Sequence, residues 1–235
     1  MLTIIIPTLN AEAVLPQLLA SIEDGRGTDT RLIISDGGST DKTLQIAVQS
    51  GAVICVGNAG RGAQLARGAD WACASGNPPE HFLFLHADCV LPKKWHKSVQ
   101  DFIRRDAKKT GYFRYKSCQN GLSGFIIKRW VDLRCWAWRL PYGDQGLLIA
   151  SDVYKTLGGY AADYPLFEDV EFVDRIRAYV GRKGFGPLKA TLRTDISDHL
   201  CEGVWRRGWR NFHLLRAYRA GTSIDTLYER YHMKL

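Results

Sequence analysis

Four short stretches hold residues that could do chemistry. In FLHADCV, residues 84–90, Asp88 directly follows an apolar run. An acid there either caps the turn before Pro92 or holds a hard divalent cation such as Mg²⁺ or Mn²⁺. In IISDGGSTDKT, Asp36 precedes two glycines and a hydroxyl-rich helix start. Backbone N–H groups at a helix N-terminus favour anions. Asp36 is itself an anion, so it suits ribose hydroxyls or a base N–H; a plain turn-and-cap cluster explains the same residues. GNAGRGAQLARGA offers Arg61 in a glycine-rich turn. Its guanidinium could grip a phosphate by two parallel bonds, although the spacing is neither GxxxxGK[ST] nor GxGxxG. PLFEDVEFVDRIR opens with Glu168 and Asp169. In the first turn of a helix the dipole favours an ionised carboxylate, which a general base requires. Asp169 and Glu171 lie about 200° apart around such a helix and cannot share one site. Glu171 and Arg175 have the acid-first i,i+4 spacing of a surface pair.

These residues must be positioned by regular elements. LTIIIP reads as a buried strand stopped by Pro7, and VLPQLLASIED as a helix with Pro16 near its first position. RLIISD, AVICVG and HFLFLHAD are further apolar strands. Between them lie STDKTLQIAVQSG, a helix capped by Ser39 or Thr40, and GRGAQLARGADWACASG; PKKWHKSVQDFIRR follows with Pro92 near its start. Strands alternating with helices, each strand a continuous apolar run, predict a parallel sheet covered on both faces. Right-handed crossovers bring the C-terminal strand ends to one edge, where such sheets bind ligands. Asp36, Arg61 and Asp88 all fall there. Beyond residue 110 the pattern predicts a strand (TGYFRYKS), a long aromatic helix (GLSGFIIKRWVDLRCWAWRLPY) and a glycine-bounded strand (GDQGLLIAS). A helix ending at Gly181 and a basic helix ending at Gly221 complete the chain.

The 235 residues suit one α/β domain with a C-terminal segment. The net charge of +8 could attract nucleic acid, anionic lipid or phosphorylated small molecules, and does not choose among them. Six cysteines form no CxxC pair, which predicts reduced, mostly buried thiols and a cytoplasmic protein. No signal peptide is recognisable, and no apolar run has the length of a membrane span.

Taken together, PTLN, SDGG, GRG, AD and ED, in this order and spacing, resemble the family 2 glycosyltransferases of the GT-A fold, over roughly residues 1–180. That family's pattern begins P-x-x-N-x-E after the first strand, here Pro7, Asn10 and Glu12. Next comes D-G-S-x-D, here Asp36 and Asp41 with an extra Gly38. The glycine–asparagine region is matched loosely, with Arg67 where asparagine is common. The D-x-D motif is His86-Ala87-Asp88, and GLLIASDVYKTLGGY resembles the acceptor-side segment leading to Glu168-Asp169. The resemblance implies a Rossmann-like, mostly parallel sheet flanked by helices. It implies a GT-A domain over 1–200, with a nucleotide-binding half (1–110) and an acceptor-binding half (111–200), and a basic helical extension over 201–235.

It also implies a single, inverting, metal-dependent sugar transfer from a nucleotide diphospho-sugar to an acceptor hydroxyl on a small molecule or lipid. Asp36, Thr8 and Glu12 would hold the nucleoside, with Pro7, Asn10 and His86 completing that side and Arg61 near the diphosphate. Asp88 would hold Mg²⁺ or Mn²⁺, and Asp169 would take the acceptor proton. Asp144, Gln145 and Glu168 would line the acceptor side. His199 is a second metal ligand or a surface-loop residue. His86 stands where the family has an acid. The Q-x-x-R-W motif of processive synthases is absent. HAD, PYGDQG and the small basic C-terminus resemble a short bacterial subgroup, the radical-SAM/selenodomain-associated glycosyltransferases.

The C-terminal helix aligns Trp205, Trp209, Phe212 and Leu215 near one stripe, with arginines mostly off it. The expectation is a helix packed through that stripe; the alternative is peripheral contact with the inner face of a membrane through 204–221. Nucleic-acid binding has no supporting motif. Rival activities are a nucleotidyltransferase, whose basic glycine signature after the first strand is missing from PTLNAE, and a degenerate nucleotide-sugar-binding protein with His86 as the lesion.

Overall fold

The structure, a computed structural model, describes residues 1–106, 109–119, 121–195 and 202–232. The strands are β1 (Leu2–Thr8), β2 (Thr30–Asp36), β3 (Val53–Val56), β4 (His81–Phe84), β5 (Cys89–Val90), β6 (Thr110–Ser117), β7 (Leu147–Ala150) and β8 (Phe185–Thr194). The helices are α1 (Leu15–Glu23), α2 (Thr43–Gln49), α3 (Arg61–Ala74), α4 (Trp95–Arg105), α5 (Leu122–Trp138), α6 (Ser151–Thr156), α7 (Glu168–Gly184), α8 (Val204–Arg219) and α9 (Ile224–His232). A 3₁₀ turn, Gly143–Gln145, precedes β7.

All eight strands share one sheet in the order β3-β2-β1-β4-β7-β6-β8-β5. The first four are parallel, as their apolar runs predict. β7 lies antiparallel to both β4 and β6, β8 runs parallel to β6, and β5 lies antiparallel to β8. The sheet is therefore parallel in its first half and mixed in its second. Side chains of β1 alternate between two cores. Ile4 and Ile6 pack with Leu15, Leu18 and Ile22 of α1, while Ile5 packs with Leu65, Ala69 and Ala72 of α3. Each of these buried leucines and isoleucines stabilises the fold by roughly 1.5–3 kcal/mol relative to exposure.

Several boundaries differ from the sequence reading, each for a local reason. β1 does not stop at Pro7 but runs on to Thr8. β4 pairs with β1 only as far as Ile5–Phe84, so the missing N–H of Pro7 falls past the end of that ladder. Helix α2 starts at Thr43 and is capped by neither Ser39 nor Thr40. The Ser39 hydroxyl is already committed to Asp36, and Asp41 Oδ1 instead accepts the Thr43 N–H at 2.9 Å. Helix α4 starts at Trp95, because Pro92 lies in a preceding turn and Lys94 adopts a left-handed conformation. At Gly181 the backbone leaves the helical region (φ 66°, ψ 178°), so the long segment of α7 ends there as expected and a short further segment runs on to Gly184. β8 was not anticipated.

The C-terminal helix contradicts its expected packing. Helix α8 is held through Leu214, which clusters with Leu166 and Leu227, and through Tyr218 against Phe167. Its Trp205–Trp209–Phe212 stripe faces outward. The described cysteines are free, with Cys55, Cys89 and Cys135 buried. Among the described residues no helix is long and apolar enough to cross a membrane.

Candidate active site

The strand-end edge carries two groups of side chains. The first ties the loops after β1 and β2 together. Asp36 is fully buried, and four donors converge on its carboxylate. Thr8 Oγ1 and Ser39 Oγ donate to Oδ1 at 2.9 and 2.6 Å, and the Gly38 and Ser39 N–H groups donate to Oδ2 at 2.8 and 2.7 Å. Burial raises its pKa, but these bonds outweigh burial and hold the carboxyl below its ordinary value. The loops also lock reciprocally. Asn10, at φ 49°, accepts the Thr40 N–H at 2.9 Å through its side-chain oxygen. Glu12 accepts the Lys42 N–H at 2.9 Å, while its own N–H donates to Asp41 at 3.0 Å. Thr8, Asn10, Glu12 and Asp36 are thus brought together, chiefly by bonds to this pair of loops. Pro7 is buried within β1.

The second group joins α3, the loop after β4, the 3₁₀ turn and α7. Arg61, half-exposed, pairs with buried Glu168 at 2.8 Å, and its charge is also felt by Asp88 and Asp169. Gly62 permits this approach: a Cβ there would lie 2.5 Å from the Ala161 carbonyl oxygen. Burial pushes Glu168 up to about 7, with Arg61 opposing and Asp169 adding to the shift. Asp169 Oδ2 accepts the Gly143 N–H at 2.8 Å, which fixes the 3₁₀ turn against the start of α7. His86 presses on the same turn, since a Cβ on Gly143 would fall 2.2 Å from its Nε2. Burial and the Arg61 charge lower the His86 pKa to about 3, so its ring is neutral near pH 7. His86 therefore sits against the Gly143–Gln145 turn.

Asp88 caps no helix, because α4 begins at Trp95 without a side-chain cap. Its carbonyl accepts the Asp195 N–H at 3.3 Å, beside the β5–β8 pairing. Burial pushes its carboxyl up, the Arg61 charge opposes, and Asp195 adds to the rise. Burial likewise takes Asp144 up to about 6, opposed by Arg134 and reinforced by Asp169 and Asp88. Asp144 Oδ1 is buried without a hydrogen-bond partner. Crowded carboxylates with an orphaned oxygen suit a hard divalent cation, whose charge would relieve both strains. Among the described residues no three His, Cys, Asp or Glu side chains form a ligating group. His199 lies outside the described residues. Gln145 does not reach this cluster. It is buried behind it, donating to the Phe113 carbonyl at 3.1 Å and accepting from Arg134 at 3.2 Å.

Three further residues support the site: Gln64 and Arg134, which no motif marked, and Arg67, which stood only as a departure from the family's asparagine. Gln64 donates to the Thr8 and Ser35 carbonyls at 2.7 and 2.9 Å, tying α3 to the ends of β1 and β2. Arg67 donates to the Asp36 carbonyl at 2.8 Å. Arg134, buried, stacks on Tyr142 with 3.3 Å between its guanidinium carbon and the ring centroid. Gln64 and Arg67 lie three and six residues after Arg61 in the same helix. That spacing was the available signal. Glu171 pairs with Arg175 at 2.6 Å, as predicted.

Parallel strands ending on an arginine-and-carboxylate edge, continued by a mixed half-sheet and C-terminal helices, make this an α/β protein of the GT-A, Rossmann-like fold. The family model described as Glycosyl transferase family 2 matches residues 3–155, and the chain belongs to that family. A 47-residue stretch is 57% identical to a PGL/p-HBAD biosynthesis glycosyltransferase of Mycobacterium tuberculosis and of Mycobacterium bovis. It covers 20% of this chain and only 18% of those relatives. The crystal structure of S. aureus TarS in complex with UDP is similar over 83% of this chain and 60% of that one, with 18% identity and a TM-score of 0.62. Glucosyl-3-phosphoglycerate synthase from Mycobacterium tuberculosis, in complex with Mn²⁺, UDP-glucose and phosphoglyceric acid, is similar over 85% of this chain and 74% of that one. Its identity is 18% and its TM-score 0.58. At such identities the likeness is one of fold.

Proposed function

We propose that the chain transfers one sugar, with inversion, from a nucleotide diphospho-sugar to an acceptor hydroxyl on a small molecule or lipid. The observation that carries this is the Arg61–Glu168 pair at 2.8 Å on the strand-end edge, next to Asp169, which holds the Gly143–Gln145 turn at 2.8 Å, with Asp88 near enough for its charge to act on Arg61. The Mn²⁺ and UDP-sugar named with the structural relative support a uridine-type donor and a cation here. The nucleoside would rest on the Asn10 and Ser39 loops. Asp36, with its oxygens already bonded, would act mainly by shaping them.

Asp88 would hold the cation, with the Asp144 oxygen nearby and His199 as a further ligand. When bound, Mg²⁺ or Mn²⁺ supplies positive charge against the charge developing on the leaving diphosphate. Asp169, oriented by the Gly143 N–H, would accept the acceptor hydroxyl's proton. The acceptor oxygen then bonds to the anomeric carbon as the bond to the diphosphate breaks. A single in-line displacement of this kind inverts that carbon. Arg61 would stay paired with Glu168 and present its exposed side to the diphosphate. The division into a nucleotide half (1–110), an acceptor half (111–200) and a C-terminal extension (201–235) belongs to this reading. So do a cytoplasmic location and the narrower likeness to the radical-SAM/selenodomain-associated subgroup.

The test is turnover against binding. Asp169→Asn is expected to abolish transfer in a radiolabelled-sugar assay while leaving donor affinity within about twofold. Undiminished turnover would remove Asp169 from the role of base. The internally satisfied Asp36 and the neutral His86 favour one second reading, a nucleotide-sugar-binding protein without turnover. Donor binding by the unaltered chain, with no product across an acceptor panel, would select it.

A further inference from the structure

Helix α5 is amphipathic in the wrong sense for a soluble protein. Surface helices normally turn an apolar stripe inward and charges outward. Every exposed residue of α5 except Arg129 is large and apolar. Leu122, Phe125 and Trp136 are 75%, 61% and 71% exposed, and Leu133 shares their stripe within an arc of roughly 80°. Helix α8 also exposes aromatic side chains, here interleaved with the exposed Arg206, Arg216 and Arg219. Trp205 and Trp209 are 76% and 68% exposed and align with Phe212 within roughly 60°. The two helices touch where Trp130 of α5 approaches Phe212 of α8, ring centroids 6.5 Å apart. Five of the chain's seven tryptophans lie on these two helices. Monomeric proteins rarely leave so many large apolar side chains grouped in water.

The surrounding charge says what covers it. Arg129 and Arg216 are exposed within the same arcs as these apolar residues and Arg206 is exposed to one side, all three with no acidic partner among the described residues. The nearby acids are occupied: Asp132 by Lys128 at 2.5 Å, and Glu202 by Arg207 and Arg210 at 3.1 and 2.7 Å. Two copies meeting through this face would set arginine against arginine, an arrangement that like-charge repulsion disfavours. An anionic bilayer satisfies both features. Tryptophan rings settle at the headgroup level, and arginines reach the lipid phosphates while their stems stay apolar. We propose that α5 and α8 together form a docking face for an anionic membrane surface. The face extends beyond residues 204–221 to include a helix on the other side of the acceptor-side turn. Arg139 and the Gly143–Gln145 turn follow α5 directly, so the docked surface borders the candidate site.

The full chain is mixed with vesicles of phosphatidylcholine alone and of phosphatidylcholine with phosphatidylglycerol, then floated. The unaltered protein should float with the anionic vesicles, lose that binding at high salt, and show a blue-shifted tryptophan emission quenched by brominated lipid. The double variant Trp136→Ser, Trp209→Ser should bind at least tenfold more weakly. Its thermal midpoint and nucleotide affinity should be unchanged, because neither residue is in the core or the candidate site. Replacing Arg129, Arg206 and Arg216 by serine should remove the preference for anionic vesicles. The proposal is overturned by absence of flotation with either vesicle, by flotation indifferent to the tryptophan changes, or by a dimer in sedimentation equilibrium that those changes dissociate. Donor binding is measured separately, so failure here leaves the transfer reading standing.

Discussion

Asp36 and Glu168 are both buried acids, yet their surroundings drive them in opposite directions. Four donors stabilise the charge on Asp36, whereas Glu168 has one half-exposed arginine and a neighbouring carboxylate. Burial carries Glu168 from 4.5 up to about 7 in the folded chain. Between these values the folded state binds more protons than the unfolded state, so this residue's contribution to stability falls as pH rises. Glu168→Gln is therefore expected to flatten the decline of the thermal midpoint between pH 5 and 7.5, and an unaltered slope would contradict the shift. The positions of Asp88 and Asp169 on the strand-end edge could be anticipated because each lies beside the boundary of a regular element, Asp88 just before β5 and Asp169 in the first turn of α7. The Arg61–Glu168 pair was not legible, because nothing local in either stretch marks the other as its partner. Asp36 shows the converse limit. Its residue type and position signalled a ligand site, but only coordinates reveal that its own loop fills its acceptor positions.

At the scale of elements, continuous apolar runs made β1 to β4 readable, and Pro16 marked the start of α1 as expected. β8 escaped notice although Leu188, Ala190 and Leu192 alternate inward with Lys189 and Arg193 outward. Gly186 and Pro187 obscure its beginning, although they pair in register with Gly111 and Tyr112, and the register with β6 breaks just after them, between Pro187 and Thr191. The outward stripe of α8 was misassigned because periodicity locates an apolar face without saying what it meets. Helix α3 is seated by a glycine. Gly62→Ala would place a methyl 2.5 Å from the Ala161 oxygen and 3.3 Å from Glu168 Cβ. Lifting the start of α3 off that loop should cost about 1–3 kcal/mol in chemical denaturation. It should also loosen the Arg61–Glu168 pair. A variant as stable as the parent would show that the approach is not needed.

For the molecule as a whole, the sheet divides the work by strand direction. Its parallel half ends every strand at one edge and supplies Asp36, Arg61 and Asp88 there. Its mixed half brings the Gly143–Gln145 turn and the start of α7 to the same edge from the other side. The sequence order of motifs carried the parallel half and its family. The mixed half depends on pairings between distant segments, such as β6 with β8, which no short motif encodes. The central claim is that this edge takes a nucleotide diphospho-sugar with a divalent cation at Asp88. Isothermal calorimetry with UDP- and GDP-sugars, each with and without Mn²⁺, tests it most directly. Mn²⁺ should tighten binding of one donor at least tenfold in the parent protein, and Asp88→Ala should erase that difference while the thermal midpoint holds. If no nucleotide sugar binds in either condition, or if Asp88→Ala keeps the full effect of the cation, the account is contradicted.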